Sequence, residues 1–370
     1  MISIWEKESL LSYDVIVIGA GITGLSTASS LKERSPELKI LVIEKGTLPS
    51  GASTKNAGFA CFGSATELLE DLDNLGEEGT QKLVEMRWLG LQKTRDRLGT
   101  GKIGFVPCGG YELFRPSDPL GNETLSRLND LLKDIVGKEV FVDRSDQLNS
   151  LGFKGVNRLV FNQYEGAIHT GKMMSALWSY CQSLGVRIIT GTQVTSIDSS
   201  TGSVYTDFYT FKAKAIAICT NAFAPTLLKD IDLKPGRGMV MLIKPKQPIE
   251  FKGTFHYDRG YYYFRHFEQK LIFGGGRNLD FETESTLAFG INPIIRQKLI
   301  DDLENLILPN QAYEVEMEWS GIMAFGNTKA PVIQQVDDHV FAGVRLGGMG
   351  VAIGSMVGEE LADLILNVHF

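Results

Sequence analysis

Three glycines carry the first chemical signal. In "VIVIGAGITGLST", residues 15–27, Gly19, Gly21 and Gly24 stand at G-x-G-x-x-G spacing directly after an apolar run. Gly19 allows a tight turn, Gly21 lets backbone approach a pyrophosphate, and Gly24 lets a following helix pack closely on the strand. The first N–H groups of that helix, at Ile22 and Thr23, then point at phosphate with the helix dipole behind them. Glu44 lies 20 residues beyond Gly24, where a carboxylate accepts hydrogen bonds from adenosine ribose hydroxyls. Its charge opposes a 2′-phosphate and so disfavours NADP.

These residues need a strand before the turn, a helix after it and a second strand ending at Glu44. The pattern predicts all three: a buried strand over Tyr13–Ile18, a helix over Ile22–Lys32 and a strand over Leu38–Ile43, one βαβ unit. Further on it predicts helices over Leu68–Leu98 and Leu125–Val136, with an extended stretch over Ile103–Phe114. A helix and two short strands follow in "HTGKMMSALWSYCQSLGVRIITGTQVTSI", then a long strand in "KAKAIAICTNAFA". After Pro235 come antiparallel-looking strands, "GRGMVMLIKP", "GYYYFRHF" and "KLIFGGG", a helix over Pro293–Leu308 and an alternating strand, "AYEVEMEWSG". A strand over Val340–Gly343, a turn at Gly347–Gly350 and a helix to Leu366 end the pattern. The expected fold is α/β with an α+β insert: a Rossmann-like dinucleotide domain (residues 1–80, 155–230 and 325–370) interleaved with a mainly antiparallel-sheet substrate domain (residues 81–154 and 231–324).

Composition narrows the function classes. The 370 residues are 43% apolar and 22% charged, with a net charge of -7 and no basic stripe, which argues against a nucleic-acid partner. No basic segment followed by an apolar one opens the sequence, and no uncharged run is long enough to span a bilayer. Cys61, Cys108, Cys181 and Cys219 form no CxxC pair, and the five histidines lack ligand spacing. A cytoplasmic enzyme without integral membrane contact, structural metal or disulfides is expected.

The segment after Glu44, "KGTLPSGASTKNAGFACFGS", has Lys45 and Lys55 as its only charges. Its small residues, Gly51 and Ala52 among them, let backbone N–H groups and hydroxyls lie against an extended ligand. Together with "GAIHTGKMMSAL", "GTQVTSI", "CTNAFA" and "RLGGMGVAIGSMVGEELADLIL", all in order, these motifs resemble the D-amino-acid oxidase superfamily of FAD enzymes over nearly the whole chain. The resemblance implies FAD in an extended pose and a small amine or amino-acid substrate. Glu44 would hold the adenosine ribose, with Lys45 near the adenine end. Ser53 and Thr54 would contact the pyrophosphate, and Asn56, Ala57 and Gly58 would run under the isoalloxazine. Val194 would meet the adenine through its backbone, and Thr220, Asn221 and Ala222 would flank the nucleotide. Gly348, Met349 and Gly350 would cap the pyrimidine side. Independently of the family, Gly347–Gly350 precede a helix whose dipole stabilises negative charge on a reduced flavin.

Substrate contacts are expected from "GYYYFRHF", where Tyr261, Tyr263 and Arg265 share one strand face; an arginine there binds carboxylates bidentately. Departures from the family matter as much. Met323 stands where amino-acid oxidases of this family carry a carboxylate-gripping arginine, Gly347 replaces a frequent histidine, and Ile272 replaces the lysine of the sarcosine-oxidase branch. That branch's flavin-linking cysteine has no counterpart near Met323, so no covalent flavin is expected there. Arg345 is the nearest replacement guanidinium. The loss of a clamp at Met323 points to a larger amine. The leading expectation is hydride transfer from a C–N bond to flavin N5, giving an imine. The alternatives are a 2-hydroxy-acid dehydrogenase using His169 or His266 as base, and a flavin-binding protein with a degenerated site.

Overall fold

The computed structural model describes residues 2–118 and 120–370. The apolar run before the glycine turn is the strand Ser12–Ile18, central in a sheet ordered Val332–Asp337, Val340–Val344, Thr210–Ile218, Ser12–Ile18, Ile40–Ile43, Arg187–Ile189. The strands from Val340–Val344 to Arg187–Ile189 are parallel, and Val332–Asp337 is an antiparallel edge. Alternation along Ser12–Ile18 feeds two cores. Val15 and Val17 pack beneath the helices Ile22–Arg34, Thr170–Ser183 and Gly350–His369, while Ile16 and Ile18 face the other side. Two antiparallel strands, Ser203–Thr206 and Val194–Asp198, extend this sheet from Thr210–Ile218.

The second sheet has eight strands, ordered Tyr313–Phe325, Lys234–Pro245, Lys270–Gly275, Tyr262–Phe267, Thr254–Tyr257, Gly110–Phe114, Arg158–Asn162, Phe141–Asp143. Every pair is antiparallel except Thr254–Tyr257 with Gly110–Phe114. Phe255, Phe264 and Phe273 pack on one face with Ile295 and Leu299 of the helix Pro293–Asp302. The interleaved α/β plan is the one the sequence implies.

Several elements differ in detail. The Ala65–Leu98 helix starts earlier than its apolar periodicity, because Ser64 and Glu67 form a capping box, and it bends at Gly76, whose φ is 70°. It runs unbroken past residue 80, the expected boundary between the dinucleotide and substrate domains. Only Gly110–Phe114 of the expected extended stretch is a strand, since the chain turns through Gly104 at φ 61°. The helix from Pro293 widens into a π turn at Leu303–Ile307. Arg158–Asn162 and Thr254–Tyr257 escape the pattern because, at five and four residues, they are too short to show clear alternation.

Candidate active site

The two sheets meet over an elongated cavity of about 610 Å³ at the carboxyl ends of the parallel strands. Its lining includes Gly19, Gly21, Ile22, Thr23, Glu44 and Lys45 at one end. Gly24 lies outside it; a Cβ there would stand 1.9 Å from the Gly19 carbonyl oxygen, so this glycine serves the helix–strand contact. The Glu44 carboxylate is aimed by two backbone donors, Ala20 N at 2.9 Å and Gly46 N at 3.0 Å, and each oxygen keeps a further lone pair. Ser53 Oγ accepts from Ile22 N at 3.0 Å, which leaves its own proton free to donate into the cavity. Val194, Thr220, Asn221 and Ala222 also line this end.

The loop over residues 51–58 forms the middle of the wall. Gly51, Ala52, Ser53, Asn56, Ala57 and Gly58 border the cavity, but Thr54 does not. Thr54 Oγ1 donates to the carbonyls of Pro49 and Gly51. The Asn56 side chain is likewise spent internally: it donates to Ala52 and Ser53 carbonyls and accepts from Gly58 N and Thr170 Oγ1. From below, Trp319 Nε1 donates to the Lys55 carbonyl at 2.9 Å. Opposite this loop stand Gly347, Gly348, Met349 and Gly350. Gly347 and Gly348 have φ of 55° and 83°, and the helix from Gly350 has neither a side-chain cap nor an acidic first turn. Its leading N–H groups are therefore available to an anion.

Two expected arginines are corrected. Arg265 shares its strand face with Tyr263, but two residues further along it passes behind the loop. There its guanidinium donates to the carbonyls of Ala57 and of Ile168, the latter at 3.1 Å. Arg345, at φ 64°, is ion-paired with Asp232 and donates to the Ala330 carbonyl. Neither lines the cavity. The expected bases fail as well: His169 caps the helix Thr170–Ser183 through Lys172 N, and His266 lies outside the lining.

The far end is formed by Tyr261, Tyr263, Met323, Phe325 and a residue the sequence reading missed, Arg277. Met323 lies against the final turn, its Sδ 3.7 Å from where a Gly348 Cβ would be. The Arg277 guanidinium stacks on Phe325 at 3.9 Å and Phe281 at 4.6 Å. Among the described residues it has no hydrogen bond or ion pair, and burial pulls its pKa down. A half-buried cation without an anion requires a partner. The available signal was its position, one residue beyond the glycines of "KLIFGGG". Tyr263 is a neutral phenol, its pKa raised by burial to about 12. His256 also lines the cavity and bonds Glu165 at 3.0 Å. Burial opposes its charge, but the Glu165 charge and hydrogen bond, with Glu67 and Glu112 beyond, outweigh this and raise its pKa to about 9.

A parallel βαβ unit opening on a dinucleotide-sized cavity, closed by an antiparallel sheet that carries tyrosines, is the architecture of a nucleotide-cofactor-binding protein. The profile described as DAO, FAD dependent oxidoreductase, matches residues 14–364, and the chain belongs to this family. Glycine oxidase of Geobacillus kaustophilus is 22% identical over 95% of this chain and 93% of its own length. The probable oxidoreductase OrdL of Haemophilus influenzae is 23% identical over 95% of this chain and 83% of its own. The crystal structure of the Geobacillus glycine oxidase superposes with a TM-score of 0.78 at 20% identity, covering 97% of this chain and 96% of that one. L-proline dehydrogenase from P. horikoshii gives 0.77 at 16%, covering 97% and 95%.

The chain is an FAD-dependent oxidoreductase. The residues present fit that cofactor: Thr220 Oγ1 is buried at the cavity wall with no protein partner, as a ligand-facing hydroxyl would be. No helix among the described residues is long and apolar enough to cross a membrane.

Proposed function

We propose that the chain oxidises the C–N bond of an amino acid, with hydride transfer to flavin N5 and release of an imine that water hydrolyses. The carrying observation is Arg277, a guanidinium without a protein anion at the end of the cavity where the two tyrosines and Met323 meet. It replaces, from the short helical turn Arg277–Leu279 that follows the strand Lys270–Gly275, the clamp whose absence at Met323 pointed to a larger amine, and it forks naturally onto a carboxylate. Phe281 and Phe325 hold its plane and exclude water from its faces.

Bound FAD supplies the two-electron acceptor. Ser53 and the N–H groups of Ile22 and Thr23 would hold its phosphates, and Glu44 its ribose. The hydroxyls of Tyr261 and Tyr263 orient the substrate by donating hydrogen bonds, and the Tyr263 phenol, neutral through burial, does not compete for its proton. The uncapped helix start at Gly350 favours negative charge at the flavin's pyrimidine edge. The names of the relatives, glycine oxidase and L-proline dehydrogenase, support an amino-acid substrate.

The test is anaerobic mixing with amino acids, their decarboxylated amines and 2-hydroxy acids, reading loss of oxidised-flavin absorbance. Reduction is expected with amino acids. Arg277→Met should weaken their apparent affinity about tenfold to a hundredfold, the range for a hydrogen bond to a charged group, and leave the amines unaffected. Equal reduction by amines and amino acids, or reduction by hydroxy acids alone, would overturn the proposal.

A further inference from the structure

We infer that Cys61, Glu165 and His256 form a three-ligand site for a zinc-class divalent cation, set in the cavity wall with its fourth coordination position open to the cavity. The backbone brings them together. Phe59 pairs with Ala167 and Ala60 with Gly166, so Cys61 and Glu165 are the next residues out on that ribbon. His256 reaches them from the strand Thr254–Tyr257. Their ligand atoms all lie within 4.8 Å of one another, and the three residues are 6%, 2% and 5% exposed.

The donor set of one sulfur, one imidazole nitrogen and one carboxylate oxygen suits Zn²⁺, whereas Mg²⁺ and Ca²⁺ take oxygen ligands alone. On binding, the ion displaces the Cys61 thiol proton and the proton that His256 shares with Glu165, and the resulting thiolate and carboxylate balance its two positive charges. Glu112 adds to the field, for it stands opposite His256 on the neighbouring strand. The Cys61 thiol is buried and free, and among the described residues its sulfur meets only the backbone N–H of Gly63 and no other side-chain donor. Supporting contacts are built in as metal ligands require. Thr254 Oγ1 donates to Glu165 Oε2 at 3.1 Å, and a Cβ at Gly110 would stand 2.0 Å from that same oxygen, so only glycine leaves the carboxylate its place. Because Cys61 and His256 both line the cavity, a water or a substrate heteroatom completes the tetrahedron. Local spacing conceals the site, since 91 residues separate Glu165 from His256.

The experiment equilibrates the FAD-loaded protein with buffered zinc, removes loose ion and measures zinc per flavin by mass spectrometry, with zinc-edge X-ray absorption for the ligands. One zinc per flavin with one sulfur at about 2.3 Å is expected. Cys61→Ser and His256→Gln should each weaken zinc affinity by about tenfold or more with flavin absorbance and circular dichroism retained. Should either variant fail to fold, Glu165→Gln carries the same test. Wild-type protein with full flavin and no zinc, or variants that bind zinc as tightly as wild type, would overturn the site. The readout needs no turnover, so its failure leaves the oxidation proposal standing.

Discussion

Arg265 holds two buried carbonyls, those of Ala57 and Ile168, that have no other strong donor, and so fixes the loop that walls the cavity. Arg265→Met leaves both acceptors unpaired. It should destabilise the protein by about 2–3 kcal/mol and lower flavin retention, read by thermal unfolding and by the flavin left after gel filtration. A second residue gives a pH signature. Burial raises the Glu112 carboxyl to about 7, against the hydrogen bonds from Thr66 and Ser64. A carboxyl raised on folding binds its proton more tightly in the native state, so stability falls as pH rises from the ordinary carboxylate range to about 7 and is level above it. Glu112→Gln should flatten that fall, measured as unfolding midpoint against pH. Face and depth separate what was legible here from what was not. Period-two alternation put Arg265 on the Tyr263 face correctly, but two residues of strand rise, about 7 Å, carry it past the cavity and behind the loop. His256 depends on which strands pair, which no local spacing encodes, whereas Arg277 was marked only by its place after the glycines of "KLIFGGG".

Elements were more legible than side-chain roles, because a strand, a glycine turn and a helix each leave a periodic trace. The turn at Gly19–Gly24 was placed from its spacing, the turn at Gly347–Gly350 from its position before a helix, and the loop ending at Gly58 from its small residues and the family resemblance. What spacing does not hold is the way helices cross. The Ala65–Leu98 helix meets the Gly350–His369 helix at Gly90, where a Cβ would stand 2.0 Å from the Ala352 carbonyl oxygen. Ala352 also borders the cavity, so this contact sets the height of the helix start at the cavity wall. Gly90→Ala should cost about 1–3 kcal/mol through overpacking. It should also speed flavin loss, measured as the rate of flavin release on dilution. A fall in stability with flavin release unchanged would show that the crossing is structural alone.

At the scale of the molecule, early, middle and late stretches of chain share one parallel sheet, with Thr210–Ile218 lying between Ser12–Ile18 and Val340–Val344. Both sheets border the cavity, so bound FAD ties them together. Removing it should lower the unfolding midpoint by the equivalent of about 3–4 kcal/mol at ligand a hundred- to a thousandfold above Kd. Hydrogen exchange should rise in both sheets; a rise confined to the Ser12–Ile18 neighbourhood would show that the second sheet stands alone. The interleaving has a consequence for biosynthesis. The helix Gly350–His369 packs on Ile22–Arg34, and the turn before it forms one wall of the cavity. A nascent chain still in the ribosomal tunnel at that helix presents the Gly19–Gly24 turn without its opposite wall. Flavin capture therefore waits until that helix has emerged, and until then the apolar face of Ser12–Ile18 lacks one of the three helices that cover it.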